Sequence, residues 1–205
     1  KLLLASVISS LTVPTFAQQL EEVVVTASKR AENLQDIPQA VTAFSSERLV
    51  ELGIVETSDL MGAVPNIQVT SAYGRTQPNF SIRGISVANE FSAATASPVG
   101  VYVDEVYQSF RASHGQQLFD LESVEVLRGP QGTLYGRNTT GGAVNVNTIK
   151  PSLDEGTSGF LNVRLGNYSY ADFTGAVEAT IIPDVLGVRL SGAVSEADGY
   201  VDNTL

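Results

Sequence analysis

The sequence predicts an α+β chain in two parts: strands and short helices up to about Lys150, then antiparallel strands alone. Three observations carry this. Two strand-like runs, 123–127 and 143–149, flank a glycine- and proline-rich stretch at 128–142. Two short, capped helical patterns lie among strand-like runs between Val41 and Thr70. Beyond a linker at 151–157, rich in Pro, Asp, Glu and Gly, apolar and polar residues alternate through three segments. A period of two places successive side chains on opposite faces of a strand, whereas a helix repeats every 3.6 residues.

Composition bounds the function classes. A chain of 205 residues suffices for one or two domains. A net charge of -10 argues against a nucleic-acid phosphate track, which needs clustered Lys and Arg. Without cysteine there is neither a disulfide nor thiol chemistry. No apolar run reaches the roughly 18 residues of a membrane-spanning helix. Residues 2–17 form an apolar, small-residue run ending Thr15-Phe16-Ala17. That fits a secretory signal cleaved before Gln18; a buried N-terminal helix is the alternative, which Pro14 and the serines disfavour. An exported, acidic, strand-rich chain points to a bacterial periplasm or outer membrane.

The elements follow in order. Glu22, Val23, Val24, Val25, Thr26 and Ala27 form a short β-branched run in a polar setting, ready to be a strand. Pro38 biases Ile37 toward extended backbone, and 41–44 reads as a strand. Ser45 is placed to cap a helix carrying Leu49, Val50 and Leu52 on one side, with Gly53 past its end. A second helix over 58–64, capped by Thr57 or Ser58, puts Leu60 and Val64 on one face and stops at Pro65. Residues 67–70 read as a strand. Phe80 and Ile82 then face away from Ser81 and Arg83 until Gly84 breaks the run. Loops are expected at 71–78 and 87–98; apart from Glu90 they hold no His, Cys or carboxylate cluster, so direct metal binding is not expected. Val99 to Val103 alternates and should return as a hairpin at Val106-Tyr107. Its turn, Asp104-Glu105, leaves the turn type open, because Glu is strained at positive φ. His114, in a polar stretch, is expected to be exposed.

Gly129, Pro130, Gly132, Gly136, Gly141 and Gly142 make 128–142 a shaped turn region, since Gly reaches left-handed backbone and Pro fixes φ. A phosphate-binding P-loop is excluded: its last glycine precedes Lys, and here Gly136 precedes Arg137 and Asn138. Asp104, Glu105, Glu122 and Glu125 lack a His, Cys or Ser partner in any recognisable catalytic arrangement, so no enzyme and no cofactor are expected. In the last part, Leu161, Val163 and Leu165 alternate with Asn162 and Arg164; Gly175, Val177 and Ala179 with Thr174, Glu178 and Thr180; Val188, Leu190 and Val194 with Arg189, Ser191 and Ser195. Pro183-Asp184 turns between the last two, and Tyr168 and Tyr170 sit near a strand end. On the residues alone, these are either barrel strands in a membrane or a soluble antiparallel sheet with one buried face.

The segment 122–147, ESVEVLRGPQGTLYGRNTTGGAVNVN, resembles the end of the plug domain of TonB-dependent outer-membrane transporters, as do Ile82-Arg83-Gly84, residues 59–67 and residues 99–104. The resemblance implies an α+β plug, a small mixed β-sheet with short helices. It is followed by the first antiparallel strands of a transmembrane β-barrel, truncated at three strands where known barrels begin at about 8. It divides the chain into a signal peptide at 1–17, a TonB box and linker at 18–32, the plug at 33–150 and the barrel's start at 151–205. By position, Glu22 to Ala27 resemble the TonB box, which would add a strand to the TonB energy-transducing protein by β-augmentation; the alternative is the plug's first strand. Arg83 and Arg128 match two family arginines that pair with glutamates of the barrel wall and hold the plug, an unpaired buried charge being costly. Local pairing with Glu122 or Glu125 is the alternative. Gly84 joins the six turn residues above as structural plug turns. The implied function is active transport of a scarce solute, most often a ferric siderophore, across the outer membrane of a Gram-negative bacterium. TonB, outer-membrane lipid and a small-molecule ligand are the implied partners. The runner-up is an exported plug-like binding or adhesion module without transport.

Overall fold

The computed structural model describes residues 24–26, 29–30, 32–72, 77–89, 91, 95–115, 117–154 and 156–199. The signal-peptide reading, Glu22, Val23, Ala27 and Glu90 lie outside the described residues. The chain opens with β1 (Val24–Val25) paired antiparallel to β2 (Glu32–Asn33). Then come β3 (Val41–Ser45), α1 (Ser46–Glu51), a 3-10 turn (Thr57–Asp59) running into α2 (Leu60–Ala63), β4 (Ile67–Thr70) and β5 (Asn79–Ile82). The plug closes with β6 (Val99–Val103), β7 (Val106–Tyr107), β8 (Leu121–Arg128), α3 (Gly132–Tyr135) and β9 (Gly142–Thr148). Three long strands follow, β10 (Thr157–Leu165), β11 (Ala171–Ile182) and β12 (Leu186–Glu196).

The plug sheet runs β3-β8-β9-β6-β7. It is mixed: β9 lies parallel to β6, and the other pairs are antiparallel. Alternation in Val124-Glu125-Val126-Leu127 and in Ala143-Val144-Asn145-Val146 gives the sheet two unlike faces. Val124, Val126, Val144 and Val146 join Phe44, Val99 and Val101 on one of them. Against that face pack Leu49 and Ile54 beside α1, Leu60 and Val64 around α2, and Ile67, Phe80 and Ile82 of the β4–β5 hairpin. Fully burying one such side chain stabilises by about 1.5–3 kcal/mol. The other face carries Glu125, Leu127, Ala143 and Asn145, all buried.

The local chemistry differs from expectation in three places and supplies a turn type that the sequence left open. Ser45 does cap α1, accepting from Arg48 N–H at 3.4 Å, but of the three apolar residues assigned inward only Leu49 is buried. In a six-residue helix the next position turns about 100° away, so Val50 lines a groove between α1, Leu118 and Phe160. The second helix is capped by neither Thr57 nor Ser58; Asp59 reaches back to accept from the N–H groups of Val55 (3.0 Å) and Glu56 (2.9 Å). The β6–β7 turn has both Asp104 (φ 47°) and Glu105 (φ 67°) in the left-handed region, as a type I′ hairpin requires. Asp104 secures it by accepting from Thr148 N–H at 2.9 Å and its hydroxyl at 2.8 Å. Finally, His114 is 2% exposed rather than a surface residue.

The last three strands form an open antiparallel sheet, here called the wall. The register places Leu161, Val163, Phe173, Val177, Leu190 and Val194 on one face. That face is exposed, Leu161 at 72% and Leu190 at 68%. The opposite face turns toward the plug and buries Asp172, Thr174 and Ala176. No described helix is long and apolar enough to cross a membrane, a statement that does not touch strands.

Candidate functional site

Three patches sit where the plug sheet meets other parts of the chain. The first holds the described part of the candidate TonB box. Val25 is fully buried in a cluster with Ile37, Tyr102, Leu127, Tyr135 and Ala143. Thr26 donates its backbone N–H to Glu125 Oε1 at 2.6 Å and its hydroxyl to the same oxygen at 3.1 Å. The amides of Asn145 and Asn147 lie 3.3 and 3.2 Å from that hydroxyl. Lys29 places its ammonium 5.5 Å from the centre of the Tyr135 ring, a cation–π distance. Burial, with Glu125 as the next cause, pushes the Tyr135 phenol well above its ordinary range.

The second patch sets Arg83 beside Gly129, the residue that follows Arg128. Arg83 leaves β5 at φ 55° and donates its backbone N–H to Asn66 O at 2.9 Å. A side-chain carbon added at Gly129, beside Arg128, would stand 3.3 Å from Arg83 Nη1. Arg128 Nε is buried without a partner. Among the described residues no carboxylate forms an ion pair with either arginine. Of the two local partners considered from sequence, Glu122 is exposed and Glu125 is taken up by Thr26. Of the turn residues, Gly84, Gly129, Gly136 and Gly142 have positive φ. Gly132 instead opens α3, an element the sequence did not reveal. Gly142 is the tightest: an added Cβ would meet Leu127 O at 2.3 Å and Ile82 Cδ1 at 2.8 Å, so only glycine lets β9 start against β8.

The third patch joins plug to wall and was not foreseen. Arg189 of β12 forks onto both oxygens of Asp120, with Nε 3.0 Å from Oδ2, and sets Nη1 2.8 Å from Glu178 Oε2. All three side chains are largely buried. The hydrogen bond from Arg189 holds the Asp120 carboxyl below its ordinary pKa against the opposing effect of burial. Asp172 of β11 takes Gln117 from the plug at 3.1 Å and Arg164 from β10 at 2.9 Å. Period-two placement of Arg189 and Asp172 on the polar face was the available signal, but their plug partners are far away in sequence.

His114 supports the plug core. Its Nε2 lies 2.9 Å from Gln108 O, and its own carbonyl accepts from Thr57 Oγ1 at 2.7 Å. Arg111 beside it donates to Asn79 Oδ1 at 2.9 Å. Burial lowers the His114 pKa, and the Arg111 charge adds to that. No group of three or more His, Cys, Asp or Glu among the described residues could hold a metal ion.

The family model of the TonB-dependent receptor plug domain matches residues 33–143, more than half of the chain. The chain belongs to this family. The plug match ends at the second residue of β9, so the other four strands of the sheet, both arginines and the glycine-shaped turns fall within it. The pesticin receptor of Yersinia pestis is 34% identical over 138 residues, covering 67% of this chain and 20% of that protein. The ferrioxamine B receptor of Salmonella typhimurium is 28% identical over 215 residues, covering 96% of this chain and 29% of its own length. The chain thus spans under a third of either relative. Among solved structures, the ferric yersiniabactin uptake receptor of Yersinia pestis superposes with a TM-score of 0.64 at 29% identity, over 75% of this chain and 24% of that one. The pyoverdine outer-membrane receptor of Pseudomonas aeruginosa has a TM-score of 0.70 at 20% identity, over 87% and 25%, and so shares the fold. This plug with its mixed sheet, followed by an open three-stranded wall, is the fold of TonB-dependent receptors.

Proposed function

We propose that the chain is the plug and first wall strands of an outer-membrane receptor that imports a scarce solute, a ferric siderophore, with energy supplied through TonB. One observation carries the membrane part of this reading: the wall turns its apolar face outward and its polar face onto the plug. A soluble sheet would bury the apolar face, whereas a barrel wall gives that face to lipid. The relatives named for ferrioxamine B and ferric yersiniabactin support the solute class. In this reading Glu22 to Ala27 bind TonB, Arg83 and Arg128 await carboxylates of the remaining wall, and the glycine turns keep the plug's shape. The plug then gates the barrel.

The test is uptake of radioiron-loaded siderophores by cells expressing the full-length receptor. Accumulation is expected, to stop when TonB is deleted, and to stop in Val24→Pro while surface binding persists, because proline removes a donor from the augmenting strand. Uptake that survives both changes would overturn the coupling. Failure to accumulate any hydroxamate, catecholate or phenolate siderophore would overturn the solute class.

A further inference from the structure

Arg189 has two carboxylate partners, one on each side of the boundary between plug and wall. Glu178 stands directly opposite it in the β11–β12 register, with Nη1 2.8 Å from Oε2. Ser158 of β10 stands opposite Glu178 in turn and donates its hydroxyl to Oε1 at 2.7 Å. Ser158, Glu178 and Arg189 thus make one row across the plug-facing side of the wall, and no plug residue is needed to build it. Asp120 is the plug's contribution. Its two oxygens accept from Nε and Nη2 of Arg189, the forked geometry that suits a guanidinium and a carboxylate. Glu178 takes Nη1 and leaves that edge of the guanidinium to Asp120. The Asp120 backbone lies in the left-handed region at φ 54°, immediately before β8.

We propose that Asp120 and Arg189 form a releasable latch between plug and wall, in which Glu178 holds the guanidinium whenever Asp120 withdraws. The inference rests on the reading above that the plug gates a closed barrel. Its polarity is the reverse of the lock expected for Arg83 and Arg128: the carboxylate belongs to the plug and the guanidinium to the wall. Stripping a buried guanidinium of its last partner is costly, because the charge is left uncompensated. With Glu178 in place, the released wall keeps a charge-assisted hydrogen bond and a neutral pair. The two carboxylates therefore act in opposite directions on one equilibrium. Asp120 favours the docked plug. Glu178 favours release, since it is one of two partners while Asp120 is docked and the remaining partner once Asp120 has gone.

The test uses the full-length receptor in planar bilayers, with urea drawing the plug from its docked state and conductance reporting the opening. Asp120→Asn keeps the side chain's shape and tolerates left-handed backbone. It should lower the urea concentration at which conductance appears, the open fraction at a fixed concentration rising about tenfold or more. Glu178→Gln should shift the opening the other way, to higher urea. A row that merely braced the structure would shift it downward in both. Heat-dependent mobility in gels shows whether each wall has folded; if Glu178→Gln does not fold, Ser158→Ala, which loosens Glu178, takes its place with the same expected sign. Opening of Asp120→Asn at the parent's urea concentration would overturn the latch. A downward shift in both carboxylate variants would overturn the part given to Glu178. Absence of conductance in every variant at any urea concentration would overturn the gating reading, and the latch with it.

Discussion

The plug sheet and the wall are written in the same alternating code and read in opposite directions. In the plug, Val124, Val126, Val144 and Val146 point into a packed core of helices and a hairpin. In the wall, the equivalent apolar row, Leu161 to Val194, points outward, and the polar row with Asp172 and Arg189 is the buried one. Alternation therefore fixes that a strand has two faces without fixing which one is inside. The surroundings decide: water drives apolar groups inward, whereas lipid removes that drive and leaves polar groups to find partners in the interior.

The largest effect that separates the two sheets is a charge in each apolar row. Val124→Asp puts a carboxylate between Phe44 and Val146 with no donor provided. It should cost about 4 kcal/mol or more, seen as loss of protease resistance of the plug in the full-length receptor. Val177→Arg on the wall should cost about 2–4 kcal/mol near the bilayer midplane, measured by reversible folding into lipid. The same change should leave the unfolding of the plug unaltered. Equal penalties in both media would erase the contrast between the sheets.

A smaller effect sharpens the comparison through pH. The chain's single histidine is in the plug, and burial depresses its folded-state pKa. The folded plug takes up a proton on His114 less readily than the unfolded chain, which does so below about pH 6.5. Its contribution is complete above that pH and is lost as pH falls, by up to about 1.4 kcal/mol per pH unit. His114→Gln should flatten this slope, read as the difference between the two proteins in denaturant titrations at pH 7 and pH 5. Identical slopes would place His114 outside the plug core.

What was legible in the sequence was what neighbours in sequence determine. The strands of the wall, the Ser45 cap and the Pro183-Asp184 turn are all set within a few residues, and the arginines and glycines were found through motifs of the same short range. The buried state of His114 depends on Thr57 and Gln108, and that of Glu125 on Thr26. The Asp120–Arg189 pair spans 69 residues. No local pattern announces a contact of that kind. One local reading failed for a physical reason: Val50, because a six-residue helix has too few turns to set a broad apolar stripe. The Asp104-Glu105 turn stayed open in the sequence because the carboxylate of Asp104 holds it through the distant Thr148.

That clasp sets the length of a leash. Asp104 fastens Thr148, the last residue of the plug sheet, to the β6–β7 turn. On the far side, Ser152 O accepts from Thr180 of β11 at 3.1 Å, and Leu153 O accepts from the Asp184 N–H beyond it. Between these fastenings run Ile149, Lys150 and Pro151. Four residue steps of about 3.3 Å each reach roughly 13 Å when fully stretched. The end of the plug where β9 finishes can drift no further than that from the wall unless one knot comes undone. In the proposed transporter, a passage for the solute opens away from this moored end of the plug.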